Sequence, residues 1–187
     1  NNSRTAIIDI LESKRRVLIV ADAPHPDVAA VKNAAQSNKH QEVEVVWATE
    51  LNQNEEMTEY DIMILHNLPN PQAPLPDIVN EAIAQDVPML FIGGANVDWR
   101  QLPIERTGII YETSDLSESV GGSLNDEFSL FSTEQALETK LSYMPPLNSV
   151  LGKVEAKKSL DVLLYKKLGS LETVWPLWAF NKDAAGR

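Results

Sequence analysis

The chain has no cysteine. A disulfide framework, a thiolate metal site and a thiol nucleophile are therefore excluded. Cysteine absence suits a periplasmic or surface protein better than a cytosolic one, so a periplasmic or otherwise extracytoplasmic setting is the expectation. No apolar run reaches the ~18 residues that a membrane-spanning helix needs. No signal peptide is visible behind Asn1-Asn2-Ser3. Basic residues are also in short supply: 16 Lys and Arg stand against 27 Asp and Glu, for a formal net charge of -11. Nucleic acid is not an expected partner, because phosphate binding needs a basic stripe. The largest basic clusters are Lys14-Arg15-Arg16 and two Lys-Lys pairs.

What is there is an alternation of apolar runs with helical patterns, organised around Pro88-Met89-Leu90-Phe91-Ile92-Gly93-Gly94-Ala95. This stretch reads as a short buried strand running into a glycine turn. Upstream, Val17–Ala21 is a continuous β-branched run of the kind buried on both faces of a parallel sheet. The loop from Asp22 to Asp27 carries two prolines, one of which can open a helix that ends near Ser37. Val43–Trp47 and Asp61–His66 are the second and third strands, and Leu75 to Ile83 is the second helix. The first half thus predicts an α/β fold with a doubly wound, flavodoxin-like, mostly parallel sheet and flanking helices. The second half is β-rich. Gly108–Thr113 reads as a strand, Ser117 to Asp126 as exposed loop and edge strand, and Thr133 to Leu141 as a helix with Ala136, Leu137 and Leu141 inward. Three further strands run through Gly152–Ala156, Leu160–Tyr165 and Val174–Phe180. Residues 1–14, with the strand-like Thr5–Leu11, read as a linker or edge strand from a preceding region, and 15–187 as one α/β domain. Both ends look cut, the C-terminal one by truncation.

Ligands and catalytic groups in open α/β sheets collect beyond the carboxyl ends of the strands, so any chemistry is expected at the corners there. The turn after the first strand, Asp22-Ala23-Pro24-His25-Pro26, has no glycine and two residues without an N–H, which excludes a dinucleotide fingerprint. There is no P-loop. A phosphoacceptor site would want an Asp ending the third strand, where His66 stands. A serine hydrolase elbow is absent, with Ser123 after Gly121-Gly122 a weak candidate. Trp99, Trp175 and Trp178 suggest a sugar-stacking platform, but Trp175 and Trp178 would face opposite sides of a strand.

Pro88-Met89-Leu90-Phe91-Ile92-Gly93 resembles the strand and elbow of class I glutamine amidotransferase-like domains, with Gly93 where the active family has its Cys. Tyr60–His66 resembles that family's preceding strand, whose following loop helps to build the oxyanion hole. The family's downstream His-x-Glu pair has no counterpart, because no His follows His66. More closely, Val17–Asp27, Pro145-Pro146-Leu147 and Thr173–Leu177 resemble uncharacterised bacterial proteins, chiefly of Bacteroidetes type. These carry a degenerate amidotransferase-like domain inside larger, often membrane-associated chains. The resemblance implies a non-catalytic domain with a degenerate elbow at Gly93 and Gly94, acting as a binding or scaffold module beside other domains of its parent chain. A homodimer through the C-terminal strands is a further expectation. No cofactor and no metal are assigned.

The alternative is a divergent hydrolase, or a sugar- or small-molecule-binding domain, using His25 or His66 as base and Asp22 or Asp98 as its orienter. These four residues are the catalytic candidates if the chain is active. Two His and two Asp also suit a divalent metal by type. Their spacing is not a recognised ligand pattern, however, and loop capping or solvated histidines are the plainer account. Asp22 in particular has the position of an Asp that accepts N–H groups from its own turn.

Overall fold

A computed structural model describes residues 14–51, 59–134, 136–156 and 160–181. The strand expected at Thr5–Leu11 and the turn expected at Lys157-Lys158-Ser159 lie outside them, as does most of the acidic connection after Leu51. The chain divides into two compact units, one drawn from Asn1–His66 and Asp77–Phe91, the other from Asn67–Pro76 and Ile92–Arg187.

The first unit is α/β. Its strands are β1 (Arg15–Ala21), β2 (Gln41–Trp47), β3 (Ile62–His66) and β4 (Met89–Ile92), with helices α1 (Pro26–Gln36) and α2 (Asp77–Ala84). The sheet order is β2-β1-β3-β4. Both β2 and β3 run parallel to β1, in registers ending at Ala21↔Trp47 and Ala21↔His66. Position along the sheet explains the composition. β1 is central, and Leu18, Ile19, Val20 and Ala21 are wholly buried, as a strand covered on both faces must be. Edge strand β2 instead alternates, with Glu42 and Glu44 exposed between half-buried valines. Helix α2 buries Ile78, Val79 and Ala82. Helix α1 buries only Val28, and so leans on its cap and its proline for definition. At the amino end of the strands, Arg16 pairs with Glu59 and lies over the Tyr60 ring, 4.6 Å from its centroid. The Tyr60 hydroxyl donates to Glu44 (2.9 Å).

The second unit is dominated by an antiparallel sheet in the order β6-β5-β7-β8. Its strands are β5 (Ile109–Leu124), β6 (Leu147–Ala156), β7 (Asp161–Leu168) and β8 (Leu171–Phe180). A 3₁₀ turn at Trp99–Gln101, a single helical turn α3 (Ile104–Thr107) and a short helix α4 (Leu137–Tyr143) complete it. The expectation of an exposed loop and edge strand from Ser117 to Asp126 is corrected here. Those residues, up to Leu124, continue β5, which pairs with β6 along most of its length and with β7 at Gly121–Leu124. The two glycines are paired strand residues, opposite Lys167 and Lys166, and not a turn. A Cβ at Gly122 would lie 3.4 Å from Leu177 and 3.5 Å from Leu164, which are ordinary packing distances. The helix expected from Thr133 begins only at Leu137, and Ala136 is exposed, with Leu137 and Leu141 half-buried. The β7–β8 hairpin turns at Gly169, whose φ of 59° is the left-handed conformation that favours glycine.

The chain is thus mixed α/β, with a parallel four-stranded sheet and a separate antiparallel one. Among the described residues, no helix is long and apolar enough to cross a membrane.

Candidate functional site

The carboxyl ends of β1 and β3 bring three polar side chains together. β3 ends at His66, the register partner of Ala21 at the end of β1. The Asp22 N–H donates to the His66 carbonyl (3.3 Å), which ties the loop after β1 to the end of β3. Asp22 then turns its carboxylate onto the next N–H, that of Ala23 (2.8 Å). Four residues after Ala21, His25 takes the N-cap position of α1 in an extended conformation (φ -143°, ψ 146°). Its Nδ1 accepts the Asp27 N–H at 3.2 Å, in place of the oxygen acceptor usual at this position. Pro26 at the first helical position fixes the entry, so Asp27 points its carboxylate back over the helix start.

The outcome is a cluster of two imidazoles and one carboxylate. Asp27 Oδ2 lies 3.5 Å from His25 Nδ1 and 3.9 Å from His66 Nε2. The two rings sit 5.1 Å apart, tilted by 37°. One ligand-type atom from each of the three residues falls within 4.8 Å of the others. Burial is unequal: the side chain of His66 is 3% exposed, while those of His25 and Asp27 are 46% and 63% exposed. The cluster therefore has a buried floor and an exposed rim. Burial pushes the His66 imidazole below the ordinary histidine range, and neighbouring His25 adds to this, while Asp27 and Asp22 pull the other way. His66 Nδ1 is buried without a hydrogen-bond partner.

Of the residues expected from the sequence, His25, Asp22 and His66 thus meet at one strand edge. Asp98 belongs to the second unit, where it caps the 3₁₀ turn. Its carboxylate accepts from Arg100 Nε (2.7 Å) and Gln101 Nε2 (3.0 Å), and these bonds, Arg100 first, hold it below the usual carboxylate range. Ser123 is a ladder residue of β5, paired with Tyr165, and occupies no elbow. Trp99 stacks on Tyr111 (centroids 4.7 Å, 16°) and forms no platform with Trp175 or Trp178. Asp27 was not among the expected site residues. The signal for it was local: an acid two residues beyond an N-capping His, with a proline between them, faces the same helix start as the cap.

The corner after β4 lies in the second unit and is closed differently. A Cβ on Gly93 would stand 2.5 Å from the Trp99 ring and 2.7 Å from Val97 Cγ2. The Gly94 N–H donates to Asn67 Oδ1 (3.2 Å). Asn67 belongs to a braced loop in which buried Asn70 donates Nδ2 to the Asn67 carbonyl (2.7 Å) and accepts the Ala73 N–H on Oδ1 (2.8 Å). In comparisons with known proteins, no family model, no curated protein and no solved structure matches the chain.

Proposed function

We propose that this chain is a non-catalytic domain of the class I glutamine amidotransferase-like type, serving as a binding or scaffold module of a larger bacterial protein. The strand order β2-β1-β3-β4 supports a flavodoxin-like, doubly wound reading of the first unit. The observation that carries the proposal is at Gly93. The elbow of an active enzyme must project a nucleophile into open space. Here the direction a side chain would take is filled by the Trp99 ring, which is itself held against Tyr111. The Gly94 N–H, which follows the elbow position and would serve as an oxyanion donor, is engaged by Asn67 instead.

A panel of glutamine, ester and glycoside substrates tests this reading. The expected result is no turnover above background. The competing reading is a divergent hydrolase, favoured by the convergence of His25, Asp27 and His66. Turnover that disappears on replacing His25 or His66 would establish that second reading and overturn the first.

A further inference from the structure

We infer that His25, Asp27 and His66 form a binding site for a single divalent transition-metal cation of the zinc class. The inference is independent of how the Gly93 corner is read, since it rests on other residues in the first unit. The donor set is two imidazole nitrogens and one carboxylate oxygen, which suits zinc and its neighbours. Calcium and magnesium are disfavoured, because they call for oxygen ligands and the cluster offers one carboxylate.

The geometry is close to what such an ion needs. Bonds of ~2.0–2.1 Å in a tetrahedral site place ligand atoms about 3.4 Å apart. The carboxylate oxygen already stands 3.5 Å and 3.9 Å from the two imidazoles. The adjustment falls on the exposed members, His25 and Asp27. His66 is the anchor: it is buried, in register with Ala21 and tied to Asp22 through its carbonyl. A cation that takes His25 Nδ1 displaces one long cap bond, the 3.2 Å contact from the Asp27 N–H. His66 itself is an imidazole only 3% exposed, and Nε2 is the nitrogen that faces the Asp27 carboxylate, while Nδ1 is the one buried without a hydrogen-bond partner. Three protein ligands leave the fourth position of the ion open on the exposed side, for water or for a donor atom of a bound molecule.

The test uses the 187-residue chain without a histidine tag, stripped with chelator. Zinc is titrated calorimetrically, and cobalt is substituted to read coordination from its visible spectrum. One saturable equivalent of zinc is expected, with the intense d–d bands of four-coordinate cobalt. His25→Ala and Asp27→Asn should each weaken binding at least tenfold, which is the lower end of what loss of even an outer-shell partner costs. His40→Ala is the control. His40 sits beside the start of β1, where its carbonyl accepts the Arg15 N–H, while His66 sits at the other end. That is roughly 20 Å away at 3.3 Å per residue. Zinc binding should survive His40→Ala unchanged. Asp27→Asn keeps the backbone N–H that His25 caps, so it remains decisive even if His25→Ala loosens α1. No saturable binding, or binding equal in wild type and Asp27→Asn, would overturn the inference.

Discussion

Trp99 closes the space that a side chain on Gly93 would need: the ring edge lies 2.5 Å from the position of the missing Cβ. Gly94, its neighbour, has nothing nearer than the Asn148 carbonyl oxygen at 3.5 Å, an ordinary contact. The two glycines should therefore respond oppositely to alanine. Gly93→Ala is expected to destabilise by about 1–3 kcal/mol, the usual effect of overpacking. Gly94→Ala should stay within about 1 kcal/mol of wild type. Urea unfolding midpoints measure both. In a Trp99→Leu background the penalty of Gly93→Ala should shrink, since contacting residues couple in double-mutant cycles. Equal penalties at the two glycines would show that Trp99 does not seal the corner.

The N-cap of α1 separates two roles of His25. As a cap it needs only an acceptor for the Asp27 N–H. His25→Ala should then destabilise by about 1 kcal/mol, and His25→Ser should recover that loss, because Ser is a preferred cap. Thermal unfolding of the three proteins reads this directly. Both variants lack the imidazole, so both should bind added zinc at least tenfold more weakly. A serine variant as unstable as the alanine variant would mean that His25 stabilises through its ring contact with His66, not through its cap.

Tyr111 predicts the alkaline limit of the fold. Burial raises its phenol well above the ordinary value of 10.0, because the phenolate loses hydration beneath the Trp99 stack. The folded chain thus holds the proton more tightly than the unfolded chain. Its contribution is fully present below pH ~10 and is lost as pH rises beyond that value. Absorbance titration should show Tyr111 ionising only as the chain unfolds. In Tyr111→Phe the late step should be smaller by one tyrosine. Four tyrosines that titrate together near pH 10 in the folded protein would contradict this account.

The parallel half of the fold was legible because local signals and burial agree there. Val17–Ala21 reads as a central strand from its uninterrupted apolar run, and it is one. Pro26 marks the start of α1, and Val87-Pro88 the approach to β4. The half that misled is β5. Gly121-Gly122 and the polar Ser117–Ser119 stretch carry loop chemistry by composition. Their strand conformation is set by partners far away in sequence: Leu147–Val150 on one side and Leu164–Lys167 on the other. No local window contains those partners. The site divides in the same way. Asp22, His25 and His66 were legible as strand-end residues, because a parallel sheet places all such ends on one edge. Asp27 was not, because its contribution depends on the direction of the first turn of α1, which His25 and Pro26 set together.

Lys166 gives the sharpest test of packing in the antiparallel sheet. Its side chain is 3% exposed, and its ammonium lies 3.6 Å from Glu118 Oε1, whose own side chain is 13% exposed. Burial pushes the Lys166 ammonium below the usual lysine range, and Glu118 opposes that shift. The pair is held without a direct hydrogen bond on Glu118 Oε1, while Nζ makes a long contact of 3.4 Å with the Val150 carbonyl. A buried pair of this kind has little net value compared with apolar packing, because desolvation offsets most of the attraction. Breaking it from one side is another matter. Lys166→Met should destabilise by about 3 kcal/mol at neutral pH, because the Glu118 carboxylate is left without its cation. Adding Glu118→Leu should recover most of that loss. The double variant should fall within about 1 kcal/mol of wild type, since removing both charges also removes both desolvation penalties. Denaturant unfolding of the two single variants and the double variant decides the matter. If Lys166→Met alone is neutral, Glu118 must turn out to solvent, and no uncompensated charge is then left buried.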